Sequence, residues 1–487
     1  MSSQAVSSQA VSSQAVSSQA VSSQAVPRPA KDSGRLPAPG VLDRLGLPRP
    51  LIWGFIGLTL FMIGDGVETN ILSPFLHTGH GFSIPMVGTL VTIYGVAVAI
   101  AAFFSAALSD LWGPRKVMMI GAGIWVFFGV AFLAVALTTS NVTLIFLTYG
   151  LRGFGYPFFA YGFLVWITAT ADAKRMASAI GWFYVAFTSG LPTLGALVAT
   201  TSLDVFHLSM YETLWVSLGL VLLGAIVVMV GVKERTGRAP LVDNPEQVFQ
   251  VLTFGLKLLV TRPKVLMVML TRMINSIPTY GMAIFFPVLF TEHFHWSIGR
   301  FLILTTVIYA VNIPFNLFFG ELGDRIGWSR TVVWCGAVVC AISMLGLYVV
   351  PEYAISHGWP FAYGLTLLVG AVFGIGLAGF VPLSAIAVSL APKQPGAAMS
   401  SYNLGIGAAV FAGPLLVAML YDSLGAQGLV ILFALLYLVA AAMAAVLRGT
   451  QPGFDGIPAD TSAETATADD PAGLSAADHA ELSPANR

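Results

Sequence analysis

The chain is dominated by long apolar runs that alternate with short polar connections. Each run holds about 20 residues or more, which is enough to cross a bilayer as a helix, whereas a membrane β-barrel would show segments of about 10 residues with alternating polarity. The pattern therefore predicts membrane-spanning helices. We place twelve of them at residues 51–76, 86–109, 116–138, 142–171, 176–200, 213–232, 264–291, 299–321, 330–350, 361–391, 396–420 and 427–447.

A polar stretch separates the sixth predicted span from the seventh and divides the chain into two halves of six spans. Within it, Pro245 to Val260 has the composition of a short amphipathic helix. We predict an all-α membrane protein with twelve transmembrane helices in two pseudo-symmetric six-helix bundles. The predicted segments are a tail at 1–50, a first bundle at 51–232, a connecting loop at 233–263, a second bundle at 264–448 and a tail at 449–487.

Both tails have compositions that are typical of disorder. Residues 2–26 are five tandem copies of Ser-Ser-Gln-Ala-Val, which are polar and lack large apolar side chains. The tail after Arg448 is acidic and rich in Ala, Asp and Pro. We therefore expect neither tail to take part in a folded domain.

Composition agrees with a membrane protein. Hydrophobic residues make up 56% of the chain and charged residues only 9%, whereas charged residues make up about 25% of a typical soluble protein. The formal net charge is zero, which argues against a nucleic-acid partner. Cys335 and Cys340 lie in one apolar run, where two small core residues are a better interpretation than a disulfide or a metal site.

The basic residues predict the orientation. With twelve spans and a cytoplasmic N-terminus, Arg300 is the one basic residue of the 23 that falls outside, and Arg152 and Arg272 fall inside spans. All the others fall on the cytoplasmic side, as the positive-inside rule requires. We therefore expect a multi-pass protein of the bacterial inner membrane with both termini in the cytoplasm.

Three charged residues lie deep in the first half. Asp65 and Glu68 share one face of the first span, and Arg152 reaches the depth of Asp65 from the fourth span. We predict an Asp65–Arg152 ion pair with Glu68 nearby, where one of the two acids carries a proton. Glu68 is the favoured proton carrier because Asp65 matches the depth of Arg152 better. The alternative is that all three residues only lock the packing of the helices.

The second half carries one deep charge, Arg272, and no deep acid. Arg272 could reach Asp65 or Glu68, line water or bind substrate oxygens. Amides, guanidinium and aromatic faces at one depth would suit a polyhydroxylated neutral solute, although Asn side chains also simply join membrane helices. The candidate substrate-binding residues are Arg272, Asn275, Asn312, Asn316, Trp166, Trp182, Tyr156, Tyr402 and Asn403.

A loop motif follows the second span and recurs after the eighth. Each copy has an acid, a glycine three residues later and then basic residues. The acid can cap a helix start while the arginine binds helix-end carbonyls, which would latch the two halves in one conformation. The alternative is a charged loop that only anchors the topology. The candidate gating residues are Asp110, Gly113, Arg115, Lys116, Asp324, Arg325, Gly327 and Arg330.

The repeated loop motif and the six-plus-six layout resemble the major facilitator superfamily over roughly residues 50–450. The first copy departs from the family pattern, with Leu111 in place of the usual arginine and Ala106 in place of the usual glycine. Further stretches resemble the bacterial polyol permeases that import ribitol and arabinitol. These stretches are Gly64–Glu68, Tyr149–Pro157, Ser178–Phe183, Arg272–Asn275, Phe380–Pro382, Gly396–Ala398, Tyr402–Leu404 and Gln451–Phe454.

This resemblance implies uptake of a sugar alcohol together with protons, by alternating access of the two bundles. Gly190–Gly195 loosely resembles a motif of drug/proton antiporters, so an efflux antiporter is the alternative function. A membrane sensor without transport is a third, although no signalling domain is evident. The predicted spans leave the histidines in loops and the C-terminal tail, which does not suggest an enzyme, a metal site or a cofactor. We expect a monomer whose partners are the bilayer, a small polar solute and protons.

Overall fold

The computed structural model describes residues 47–171, 176–241, 259–390, 395–447 and 451. Over these residues the chain is helical and contains no strand. The Ser-Ser-Gln-Ala-Val repeat, almost all of the helix predicted at Pro245 to Val260, and nearly all of the acidic tail lie outside the described residues. The predicted domain boundaries therefore stay predictions.

The first bundle consists of six transmembrane helices, α1 to α6. Three of them include π-helical or broken segments, which we count with the helix that they continue. The bounds are α1 Ile52–His80, α2 Ile84–Trp112, α3 Pro114–Ala131 with Phe132–Ala136, α4 Val142–Arg152 with Gly155–Thr170, α5 Met176–Thr188 with Ser189–Leu194, Gly195–Thr200 and Thr201–Val205, and α6 Met210–Gly231.

The second bundle repeats this plan with α7 to α12. The last two helices follow each other directly and are divided at Gly425, whose backbone is not helical. The bounds are α7 Pro263–Val288 with Leu289–His293, α8 Ile298–Ile326, α9 Trp328–Arg330 with Thr331–Val338 and Val339–Ser356, and α10 Ala362–Ala378 with Leu383–Ser389. The parts of Pro395–Val446 before and after Gly425 are α11 and α12.

The prediction of twelve transmembrane helices is confirmed. Ten helices among the described residues are long and apolar enough to cross a membrane as continuous segments. The fourth span is missing from these ten because turns at Gly153 and Phe154 interrupt it. Pro395–Val446 has 52 residues, which would be about 78 Å long as one helix, against a hydrocarbon core of about 30 Å. Gly425, with φ 64° and ψ −177°, divides it into two spans.

Local capping residues decide where several helices begin and end. The Ser209 side chain accepts from the Glu212 N–H, and the Glu212 carboxylate accepts from the Ser209 N–H, so that a capping box starts α6. Helix α1 runs four residues beyond the predicted end and stops at Gly81, whose φ of 69° is left-handed. The predicted boundary at residue 76 is therefore too early.

Small residues let α1 and α6 approach closely. A methyl group on Gly57 would lie 2.6 Å from the carbonyl oxygen of Gly224, and one on Gly224 would lie 2.5 Å from that of Gly57. Seven residues further along α1, the Gly64 carbonyl accepts a hydrogen bond of 2.7 Å from the Ser217 hydroxyl of α6. Membrane helices pack in this way because contact of small residues replaces the hydrophobic effect within lipid.

The two bundles meet along four helix pairs, α1 with α7, α2 with α11, α2 with α7, and α5 with α8. We call the face where α1 begins the near face and the face where α1 ends the far face. The Ser73 hydroxyl donates to the Ile284 carbonyl in the far half of α1. Gly88, near the far end of α2, lies against Pro414 and Ala418 of α11. These contacts close the far face.

Candidate functional site

Arg152 forms the centre of a charged cluster inside the first bundle. It ends the first segment of α4 and is 1% exposed. Its two terminal nitrogens donate to the two carboxylate oxygens of Glu68 on α1. The guanidinium carbon lies 4.5 Å from the ring centre of Trp125 and 4.6 Å from that of Tyr149. A bidentate ion pair between aromatic rings is a geometry that makes a buried arginine tolerable.

Asp65 has a different partner from the one predicted. It is 4% exposed, and its Oδ1 accepts a hydrogen bond of 3.1 Å from the Trp125 indole nitrogen on α3. The predicted Asp65–Arg152 ion pair is wrong in its partner, because the longer Glu68 side chain takes both terminal nitrogens of Arg152. The prediction that the three charged residues converge is confirmed. Sequence reasoning missed Trp125, since a single Trp in an apolar run carries no spacing signal.

Tyrosines extend this cluster towards the second bundle. Tyr94 and Tyr149 have ring centres 4.8 Å apart and, with Tyr156, lie within electrostatic range of Asp65. Tyr280 of α7 lies within range of Tyr94 and Tyr156. A series of phenol hydroxyls therefore leads from the buried carboxylate to the interface between the bundles. The sequence analysis singled out only Tyr156 among them.

Arg272 of α7 lies on the other side of this interface. Its guanidinium carbon is 5.2 Å from the ring centre of Tyr402 on α11, and it interacts electrostatically with Tyr280 and with Tyr184 of α5. Among the described residues, no carboxylate forms a salt bridge with Arg272. Its Nε and the Oδ1 of Asn275 are buried without a hydrogen-bond partner in this part of the chain. Unsatisfied buried groups of this kind are available to a solute.

The asparagines of α8 have a packing role. The Asn312 amide nitrogen donates to the Gly374 carbonyl of α10 at 3.0 Å, and the Asn316 amide nitrogen donates to the Asn312 oxygen at 3.0 Å. Of the two interpretations that the sequence left open, this geometry matches the one in which Asn side chains join membrane helices. Their predicted position in a substrate site is therefore not the one that the structure favours.

Trp166 lies far along α4 from the charged cluster around Arg152. It follows Arg152 by 14 positions on α4, which is about 21 Å along a helix. Its indole nitrogen donates to Glu234 at 2.5 Å near the end of α6. Burial raises the pKa of Glu234, but hydrogen bonds from Thr236, Trp166 and Gly237 outweigh it and leave the pKa below its ordinary value. This hydrogen bond favours a packing role for Trp166 over its predicted place in the substrate site.

Two other candidate aromatic and amide residues keep positions near the interface. Trp182 is half-buried on α5, where it packs against the apolar core. Asn403 follows Tyr402 on α11 and is exposed. Neither position decides whether the residue contacts a solute, so their role stays a prediction.

The first copy of the loop motif binds within its own bundle. The Arg115 guanidinium donates to the Met229 carbonyl at 2.7 Å, near the end of α6. Gly113 has a φ of 88°, and the Asp110 carbonyl accepts from the Leu241 N–H at 2.8 Å. Lys116 is exposed. The arginine therefore binds a helix-end carbonyl, and it joins α3 to α6.

The second copy joins α8 to α9. The Trp328 indole nitrogen donates to the Asp324 carboxylate at 2.8 Å across Gly327, whose φ is 105°. Arg325 forms an exposed salt bridge with Glu321 of its own helix, and Arg330 is exposed. The Gln451 amide accepts from the Trp328 N–H at 2.9 Å and donates to the Gly323 carbonyl at 3.1 Å. Gln451, which follows α12, thus binds this loop from the end of the second bundle.

Comparison with known families decides which family this geometry belongs to. The model of the Major Facilitator Superfamily matches residues 54–297 and 268–478. The chain belongs to the Major Facilitator Superfamily. The resemblance found from the loop motif and the two-bundle layout is therefore confirmed.

Relatives within the superfamily carry two kinds of solute in their names. The Alpha-ketoglutarate permease of Bacillus subtilis is 36% identical over 85% of this chain and 93% of its own length. The D-arabinitol transporter of Klebsiella pneumoniae is 34% identical over 84% of this chain and 95% of its own length. The second relative agrees with the predicted resemblance to polyol permeases.

A solved superfamily structure supports the fold. The nucleoside transporter NupG superposes with a TM-score of 0.65 at 14% identity, over 82% of this chain and 98% of its own. The superposition supports the fold with two six-helix bundles. The family model and the curated relatives show that this chain is a multi-pass membrane transporter. Its charged cluster on α1, α3 and α4 lies inside the first bundle, and Arg272 on α7 lies across the interface between the bundles.

Proposed function

We propose that this superfamily member is a secondary active transporter that imports a small polar solute, a sugar alcohol, together with protons. The two bundles rock about the interface between them, so that the solute site opens to each side in turn. The observation that carries this proposal is the buried Asp65, which accepts a hydrogen bond from the neutral Trp125 indole and, among the described residues, forms no salt bridge beside the Glu68–Arg152 pair. No enzymatic step is needed for this function.

The geometry favours Asp65 as the proton carrier, in place of Glu68. Arg152 lies within electrostatic range of both acids, but both of its terminal nitrogens donate to Glu68, so Asp65 is the acid whose charge is compensated less. A buried carboxylate without a cationic partner favours its neutral form, whereas one in a bidentate pair with arginine favours the ionised form. Loss or gain of the proton at Asp65 would alter the interface that Tyr156 and Tyr280 share with it.

The sugar alcohol is proposed from the polar groups near Arg272. Among the described residues, Arg272 Nε is a donor and Asn275 Oδ1 an acceptor without a hydrogen-bond partner, and Tyr402 offers a ring face. Hydroxyl groups can both donate and accept, and a ring face suits C–H edges. The relative named D-arabinitol transporter supports this class of solute.

A small carboxylate is the second candidate solute. Arg272 is a cation to which the described residues offer no carboxylate, and arginine binds carboxylates through two parallel hydrogen bonds. The relative named Alpha-ketoglutarate permease supports this alternative. A neutral polyol and a carboxylate would depend on Arg272 to different degrees, which makes them distinguishable by experiment.

The test is uptake of labelled pentitols, hexitols and 2-oxo dicarboxylates into proteoliposomes, with and without an imposed inward proton gradient. We expect one pentitol to accumulate only with the gradient, and Arg272→Gln to reduce its uptake about 10-fold, the loss of one hydrogen bond to a charged group. A carboxylate solute would instead lose uptake almost entirely in this variant. Accumulation driven by an outward gradient would favour the efflux antiporter.

We further propose the orientation and assembly that the sequence predicts. The termini lie in the cytoplasm of a bacterium, the near face is the cytoplasmic face of the inner membrane, and the carrier acts as a monomer. The side bias of Lys and Arg supports this orientation. Accessibility of a tag placed before Leu51 in intact and permeabilised cells tests it, and the mass of the carrier in detergent tests the monomer.

A further inference from the structure

A histidine and a glutamate join the two bundles at the far face. His77 lies in the last turn of α1, and Glu292 lies in the π-helical turn that ends α7. His77 Nε2 is 3.1 Å from the Glu292 carboxylate, and the side chains are 25% and 53% exposed. Opening the far face would separate this pair, because the residues belong to different bundles.

The local fold fixes which nitrogen of His77 carries a hydrogen. Gly81 ends α1 in a left-handed conformation, and the Phe82 N–H donates back to the Leu76 carbonyl at 3.1 Å. This turn brings the Phe82 carbonyl oxygen to 2.6 Å from His77 Nδ1. A carbonyl only accepts hydrogen bonds, so His77 Nδ1 must be the donor.

A neutral His77 would therefore present an electron lone pair to Glu292. Neutral imidazole has one N–H, and here the Phe82 carbonyl takes it, which leaves Nε2 as an acceptor facing an ionised carboxylate. Two acceptors at 3.1 Å repel each other. The contact becomes favourable only when one further proton lies between them, on His77 Nε2 or on the carboxylate.

We propose that His77 and Glu292 form a proton-binding site that holds the far face closed. Binding of one proton from the far side favours the conformation in which the bundles meet there. When the bundles part, the proton returns to the side from which it came. The site therefore senses pH on the far side and is separate from Asp65, which we propose carries the transported proton.

Other titratable groups lie around this pair and define the controls. His80 lies one turn further along α1 and packs against Phe75. Tyr421 at the end of α11 interacts electrostatically with Glu292 and with Asp422 beside it. His293, next to Glu292, forms an exposed pair with Glu352 of the same bundle at 2.6 Å. Because the His293–Glu352 pair does not cross the interface, it is the matched control.

The experiment measures the width of the far face as pH changes. Cys335 and Cys340 are first replaced by Ser. Spin labels are then placed on Thr138→Cys and Ser356→Cys, whose positions are exposed at the far ends of α3 and α9. Double electron–electron resonance on the full chain in nanodiscs then gives the ratio of closed to open carriers. As the pH is lowered from about 8 to about 5, we expect this ratio to rise, by at most about tenfold per pH unit for one linked proton.

Variants of the pair separate this proposal from a general effect of pH. Glu292→Gln supplies an amide N–H to His77 Nε2, so we expect the far face to stay closed at every pH. His77→Phe removes the contact, so we expect an open-shifted ratio without pH dependence, while His293→Gln keeps the parental dependence. Parental pH dependence in both Glu292→Gln and His77→Phe would overturn the proposal, as would a parent whose ratio does not change with pH.

Discussion

At the scale of single residues, two acids one turn apart on α1 have different surroundings. Glu68 accepts both terminal nitrogens of Arg152, whereas Asp65 accepts one N–H of Trp125. Removing one partner of a buried ion pair leaves an uncompensated charge, which is far more costly than removing a neutral hydrogen bond. We therefore assign Glu68 to holding α1 against α4 and Asp65 to proton exchange.

We predict that Asp65→Asn keeps the carrier folded but abolishes accumulation driven by a proton gradient. The amide preserves the size of the side chain and cannot titrate, so exchange of solute across the membrane continues without the gradient. Counterflow and gradient-driven uptake in the same proteoliposomes measure the two activities separately. Parental accumulation by Asp65→Asn would contradict the role given to this residue.

The matched variant is Glu68→Gln. It leaves Arg152 buried beside a neutral amide, so we expect a loss of stability of about 3–5 kcal/mol, the cost of breaking a buried ion pair. Thermal unfolding in detergent measures this loss. Trp125→Phe serves as a control, because it keeps a ring beside Arg152 and removes only the N–H that Asp65 accepts.

The sequence predicted that these residues converge but not how they pair. Spacing on a helix and depth in the membrane bring Asp65, Glu68 and Arg152 to one region, and both are readable from residue numbers. The choice of partner depends on how α3 packs beside α1, which places the Trp125 indole at Asp65. Hydrophobic periodicity does not determine which side chains of neighbouring helices come into contact.

At the scale of helices, close contact between α1 and α6 predicts a sharp difference between two glycines of α6. Gly224 lies against the backbone of Gly57 and Phe61, whereas a methyl group on Gly219 would meet nothing within 4 Å. We expect Gly224→Ala to destabilise the carrier by about 1–3 kcal/mol through overpacking. Gly219→Ala should be neutral or slightly stabilising, because Ala favours the helix. Equal melting temperatures in detergent for the two variants would contradict this contact.

The sequence predicts the number and approximate position of the transmembrane helices, because the bilayer sets their minimum apolar length. The bilayer requires apolar runs of a minimum length, so the number of spans follows from the pattern. The end of α1 at His80 did not follow, because a left-handed Gly81 rather than hydropathy ends it. Aromatic character alone suggests Trp166 for the solute site, but it does not take account of the position of Trp166 along α4. Its hydrogen-bond partner Glu234 lies after the last turn of α6.

At the scale of the whole molecule, the sequence carries no sign of which face is closed. Both conformations of an alternating-access carrier use the same helices, and they differ only in which halves of the bundles touch. In this structure Ser73 meets Ile284 and Gly88 meets Ala418 in the far halves of their helices. The bundles therefore meet at the far face in this structure.

A cross-link between α2 and α11 at the far face tests alternating access directly. A Cβ on Gly88 would lie 3.1 Å from the Cβ of Ala418 and 2.9 Å from the Pro414 carbonyl oxygen. A small separation of the two helices would therefore bring the Cβ atoms to the spacing of about 3.8 Å found in disulfides. In a Cys335→Ser, Cys340→Ser background, we expect oxidation of Gly88→Cys with Ala418→Cys to stop transport and reduction to restore it. The two single variants should not respond to oxidant. If the cross-linked carrier transported solute at the rate of the reduced one, the far face would not need to open, and a rocking mechanism about this interface would be excluded.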